Sequence, residues 1–151
     1  TTRFDGIEEG LTELQAPKSF LNWNVSPSTA AAITKLQEAS SHCPGDQLFQ
    51  LSWMPIIYDL TGRQNVTEFD LPYHDTISVD AANIILSRLL SNPPGMLAIQ
   101  WKYQDYDGPF PALGMKLLYE QIPQLLVRYD LQIEISDNYN SFSIYCLRAS
   151  G

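Results

Sequence analysis

Leu97-Ala98-Ile99-Gln100-Trp101-Lys102-Tyr103 decides the fold of this chain. Leu97, Ile99, Trp101 and Tyr103 alternate with Ala98, Gln100, Lys102 and Gln104, a period of two that predicts a strand with one buried and one wet face. Just upstream, Asn92-Pro93-Pro94-Gly95 stops a helix. Downstream, the loop Gln104-Asp105-Tyr106-Asp107-Gly108-Pro109-Phe110-Pro111 leads into a helical pattern over 113–129, in which Leu118, Ile122, Leu125, Leu126 and Tyr129 recur. Pro123 lies inside that pattern and lacks the hydrogen to bond the Tyr119 carbonyl, so a kink or two helical pieces is expected there.

Working outward, Ser78 or Asp80 can cap a helix whose stripe is Ala82, Ile85, Leu86 and Leu89. Ser26-Pro27-Ser28 opens another, with Ala30, Ile33 and Leu36 at helical spacing and His42-Cys43-Pro44-Gly45 as its stop. Leu48 to Met54 reads as a strand interrupted by Pro55, hence an edge strand or a bulge, and resumed by Ile56-Ile57-Tyr58. Thr61-Gly62-Arg63-Gln64 then turns into a short partner strand around Val66 and Phe69, which makes a hairpin. A second hairpin closes the chain. Leu131, Ile133 and Ile135 alternate in its first strand; Phe142, Ile144 and Cys146 share one face of its second; Ser136-Asp137-Asn138-Tyr139-Asn140 is expected as the hairpin loop. Residues 1–25 lack a sustained period, apart from a short helical turn with Glu8, Glu9 and Glu13 opposite Ile7, Leu11 and Leu14.

This order predicts a single α+β domain over 1–151: a two-layer, largely antiparallel sheet of about five strands, with three main helices on one face. The other face stays open, with Gln100, Lys102, Gln132, Glu134, Ser143 and Tyr145 on it. At 151 residues and 44% hydrophobic composition, the chain can build this core without a metal or disulfide staple.

Charge excludes more than it identifies. Seventeen carboxylates face nine Lys and Arg, for a net charge of −8. That balance argues against nucleic acid and against an anionic membrane, and it permits a basic protein partner. No window approaches the roughly 18 apolar residues of a membrane span. Cys43 and Cys146 can pair or stay free; free thiols in the cytoplasm are the default for so few cysteines. Asn24-Val25-Ser26 and Asn65-Val66-Thr67 are triplets of the N-glycosylation type, informative only in a secreted chain.

Catalytic patterns are sparse. His74-Asp75, with Asp70 nearby, pairs an imidazole with carboxylates that suit base or metal chemistry, if the fold brings them together. Cys43 follows a helix, where the dipole disfavours a thiolate nucleophile. Asp105-Tyr106-Asp107-Gly108 fails calcium-loop spacing, because glycine is fourth instead of sixth and Lys116 takes the closing position. Glu68, Asp70 and Asp75 lack metal spacing, and no zinc, phosphate-loop or nucleophile-elbow motif occurs. Asp105, Asp107 and Glu120 could serve a glycosidic mechanism only at a separation that sequence does not fix.

The sequence therefore points to a non-enzymatic protein-interaction domain, without cofactor or metal, of the acidic inhibitor or immunity type that neutralises a basic partner. Tyr103, Asp105, Tyr106 and Asp107 on one loop, and Asp137, Asn138 and Tyr139 on another, would carry the contacts through stiff rings and carboxylates. Two rivals are an adaptor or assembly subunit, docking through its open sheet face or forming a homodimer, and a small enzyme or ligand-binding module using His74, Asp70 and Asp75.

Overall fold

The computed structural model describes residues 12–13, 24–52, 56–67, 77–103, 113–136 and 140–149. In chain order the elements are β1 (Thr12–Glu13), β2 (Asn24–Val25), α1 (Pro27–His42), β3 (Gln47–Leu51), α2 (Ile56–Thr61), β4 (Gln64–Asn65), α3 (Val79–Ser91), β5 (Met96–Tyr103), α4 (Leu113–Leu126), β6 (Tyr129–Ser136) and β7 (Asn140–Leu147). β1 and β2 form a small antiparallel ribbon, so Glu13 sits in a strand and not in the expected helical turn. The rest of that turn lies outside the described residues.

Five strands form the main sheet in the order β4-β3-β5-β7-β6. β3 runs parallel to both β4 and β5, whereas β5–β7 and β7–β6 are antiparallel. The sheet is thus mixed, not largely antiparallel. The physical reason lies in residues 56–61. Ile57 and Leu60 are buried at a spacing of three, so this run folds as helix α2 instead of resuming a strand. A helix between β3 and β4 carries the chain back to the starting end, and the pair becomes parallel where a hairpin was expected.

Four helices cover both faces. Leu48, Met96, Ala98, Ile144 and Cys146 pack on one side with Leu36 and Ala39 of α1 and Ile57 and Leu60 of α2. Phe49, Leu51, Leu97 and Ile99 pack on the other side with Ala82, Ile85 and Leu89 of α3 and Met115, Leu118 and Ile122 of α4. Central strands β3 and β5 are therefore buried on both faces, as parallel strands generally are. The open face expected from alternation is largely closed: Gln100 and Ser143 are buried, while Gln132 and Glu134 on β6 remain exposed.

Local signals hold where the chain announces them. The Ser26 hydroxyl accepts from Thr29 N–H at 3.2 Å, and the Ser78 hydroxyl accepts from Ala81 N–H at 3.0 Å; each caps its helix. Pro123 sits inside α4, which continues as one helix and ends three residues later. Gly62 takes a φ of +68° just past α2, a conformation that favours glycine at a helix end.

Two irregularities break the expected alternation. Register shifts between Ile99 and Lys102 on β5, and between Leu131 and Ile133 on β6. Ile133 and Ile135 oppose Ile144 and Phe142, but Leu131 opposes Tyr145 and is 54% exposed. Trp101, expected in the core with Leu97 and Ile99, is 38% exposed.

Cys43 and Cys146 form a disulfide between the end of α1 and β7, with a Cα–Cα distance of 4.8 Å. The expectation of free thiols does not hold, and no thiolate chemistry at Cys43 remains. Beside it, Arg63 is buried and places all five of its N–H donors: on the Ser40 hydroxyl and carbonyl, and on the carbonyls of Cys43, Pro44 and Gln47, at 2.7–3.1 Å. These groups close the C-terminal turn of α1, where helix carbonyls lack intrahelical partners.

Candidate functional site

Connectivity places the strand residues that flank the candidate segments at one end of the main sheet. β3 and β5 are parallel, so Leu51 and Tyr103 finish at the same end. β4 runs the same way. β7 is antiparallel to β5, and Tyr103 pairs with Asn140, the first residue of β7. Ser136, the last of β6, pairs with Ser141. Segments 53–55, 68–76, 104–112 and 137–139 all depart from this end of the strands.

Those segments contain most of what the sequence singled out. Asp105, Tyr106 and Asp107 follow β5; Asp137, Asn138 and Tyr139 join β6 to β7; His74, Asp70 and Asp75 follow β4. Each of these residues lies outside the described residues. Tyr103 is placed by its backbone pairing with Asn140. The register thus brings Tyr103, Ser136 and Asn140, the strand residues next to the two segments, to one end of the sheet.

The described floor of this end is polar and buried. Gln50 and Ser52 at the end of β3 are fully buried, and Gln100 of β5 is 1% exposed. The Ser52 hydroxyl donates to the Gln50 side-chain carbonyl, and the Tyr58 hydroxyl accepts from Gln50 N–H at 3.3 Å. From α4, the Tyr119 hydroxyl donates to the Gln100 carbonyl. Buried polar groups are retained where they are hydrogen-bonded, and here they tie β3 to α2 and β5 to α4. The starts of α3 and α4 meet nearby: a Cβ placed on Gly114 would lie 2.4 Å from the carbonyl oxygens of Ile77 and Ser78.

An aromatic ledge flanks the floor. The Trp101 ring lies 5.9 Å from that of Tyr119, tilted by 55°. Its indole N–H donates to the Tyr145 hydroxyl at 3.2 Å across the sheet. Tyr145 is opposite Leu131, so the ledge continues toward the exposed β6 side chains Leu131, Gln132 and Glu134. Sequence reasoning assigned Trp101 to the core, because a bulge near Ile99–Lys102 leaves no mark in the hydrophobic pattern.

In open sheets with parallel strands, ligands characteristically bind beyond the carboxyl ends of those strands. The polar floor lies at this end, and the aromatic ledge runs from Trp101 back toward Tyr145, which pairs with Leu97 near the start of β5. Among the described residues, no group of three or more His, Cys, Asp and Glu is arranged to hold a metal ion. Among the described residues no helix is long and apolar enough to cross a membrane. Comparison of the chain with protein-family models, curated proteins and solved structures finds no match.

Proposed function

We propose that this chain is a protein-interaction domain of the acidic inhibitor type, which binds a basic partner through the end of its sheet where β5 stops and β7 begins. The observation that carries this reading is the pairing of Tyr103 with Asn140, from which both Tyr/Asp loops extend. Asp105, Asp107 and Asp137 supply carboxylates for Arg or Lys, and Tyr106, Tyr139 and Trp101 supply rings of low conformational cost. A net charge of −8 favours encounter with a positively charged surface. Contact energy in such interfaces concentrates in a few aromatic and charged anchors, which is the mix these loops hold.

The test uses wild-type protein and the charge-reversed variant D105K/D107K as baits in native extract, at low and raised salt. Wild type is expected to retain a basic protein. The variant should associate with it more slowly and with a flatter salt dependence. Equal on-rates for the two baits would remove the loop from the docking site.

A second reading has its own support in the buried polar residues Gln50, Ser52 and Gln100 near the carboxyl ends of parallel strands, a setting that suits a small ligand. It would use His74, Asp70 and Asp75. A thermal-shift panel of metals and metabolites separates the two, since a ligand that binds the folded state raises its melting temperature.

A further inference from the structure

We propose that Asn65 is an N-glycan acceptor, and that this chain matures in an oxidising secretory compartment. The inference stands apart from the binding role above. Its first support is the buried disulfide between Cys43 and Cys146, a bond that forms and persists where thiols are oxidised. In that setting the triplet Asn65-Val66-Thr67, with a residue other than proline at its centre, becomes a glycosylation signal.

Placement is the second support. Asn65 closes β4, the outermost strand on its side of the sheet, and it is partly exposed. Among the described residues β4 pairs only with β3. A glycan here extends from a sheet edge and displaces no core side chain. It also screens that edge against pairing with another chain, a hazard that folded proteins manage by bulk or charge at edge strands.

The triplet itself is folded into a turn. Thr67 donates to the Asn65 side-chain carbonyl oxygen twice, from its N–H at 2.9 Å and from its hydroxyl at 3.0 Å. Thr67 is 7% exposed, so an enzyme that must read its hydroxyl does so before β4 docks. Transfer therefore precedes completion of the sheet. In the transfer one bond forms, from Asn65 Nδ2 to the anomeric carbon of the first sugar. One bond breaks, from that carbon to the phosphate oxygen of a polyprenyl-diphosphate-linked oligosaccharide. The amide gives up one proton, and the lipid diphosphate leaves.

The test is peptide mapping of the protein purified from its natural source, with thiols alkylated at harvest. Treatment with a peptide-N-glycosidase should remove a glycan mass and convert Asn65 to aspartate. In a secreting eukaryotic host, N65Q should lose the same mass shift and T67S should keep it. An Asn65 peptide found only in unmodified form overturns the proposal, as does a glycan carried only by Asn24. Alkylation of Cys43 and Cys146 as free thiols in the native protein overturns the compartment on which it rests.

Discussion

Arg63 grips Ser40 by both of its oxygen atoms, Nε to the hydroxyl and Nη2 to the carbonyl, each at 2.7 Å. The same guanidinium holds the carbonyls of Cys43, Pro44 and Gln47, so one side chain from the α2–β4 connection fixes the end of α1 and the start of β3. Burial lowers its pKa from the ordinary value and the Asp46 carboxylate opposes that shift. Replacing it with methionine removes all five hydrogen bonds and leaves buried acceptors unpaired, so R63M should cost about 3–5 kcal/mol in urea unfolding. R63K keeps the charge but not the planar fork, and should recover only part of that loss.

Tyr129 gives the fold a dependence on alkaline pH. It is 4% exposed, and its hydroxyl donates to the Pro94 carbonyl at 2.7 Å. Burial raises its pKa above the ordinary tyrosine value, and the nearby Arg128 charge opposes that only in part. The folded state therefore keeps the proton where the unfolded chain gives it up. Its contribution is intact below about pH 10, where the unfolded tyrosine is still neutral, and is lost progressively as pH rises above that value. Urea midpoints measured from pH 8 upward should fall more steeply for wild type than for Y129F. At neutral pH, Y129F should be less stable by about 1–3 kcal/mol, the cost of leaving a buried carbonyl unpaired.

The Cys43–Cys146 bond joins positions 103 residues apart. A closure of that length restricts the unfolded chain by about 4–5 kcal/mol on the chain-entropy estimate. The double variant C43A/C146A should unfold at lower urea concentration, by about 3–5 kcal/mol, with its folded-state circular dichroism retained. Wild-type protein unfolded without reductant should release no titratable thiol.

Gly95 allows a close crossing just before β5. A Cβ there would lie 1.6 Å from the Pro44 carbonyl oxygen, which is main chain and cannot rotate aside. The Gly95 carbonyl also accepts from Leu147 N–H at 2.9 Å, so the position is held from both sides. G95A should destabilise by about 3 kcal/mol or more, since overpacking against backbone forces the main chain to move. Thermal unfolding would show it. G62A is a separate glycine variant, strained by its φ of +68° with open space around it, and should cost about 1 kcal/mol.

Helices and central strands were legible because their signals are local. Ser26 and Ser78 are caps set by short-range hydrogen bonds, and the pattern of Phe142, Ile144 and Cys146 is a clean period of two. Ile56-Ile57-Tyr58 misled because a short apolar run reads equally as strand or helix, and only the burial of Ile57 and Leu60 decides. That one ambiguity reversed the direction of β4, while the second helical layer follows from α1 packing on the face opposite α3 and α4. Arg63 read as a turn residue because its partners lie 16–23 positions away in sequence. Leu131 and Trp101 were misplaced by bulges, which insert one residue without changing composition. The candidate segments could be named from sequence, but that the strands flanking them meet at one sheet end needed the register.

Segments 53–55, 68–76, 104–112 and 137–139 all fall between Cys43 and Cys146. A protease that cut any one of them would leave two fragments still covalently tied through sulfur. On a non-reducing gel such a molecule would migrate as one chain, and only reductant would part its halves. A binding surface built on those segments could thus be nicked by an attacking enzyme while the body that presents it stays in one piece.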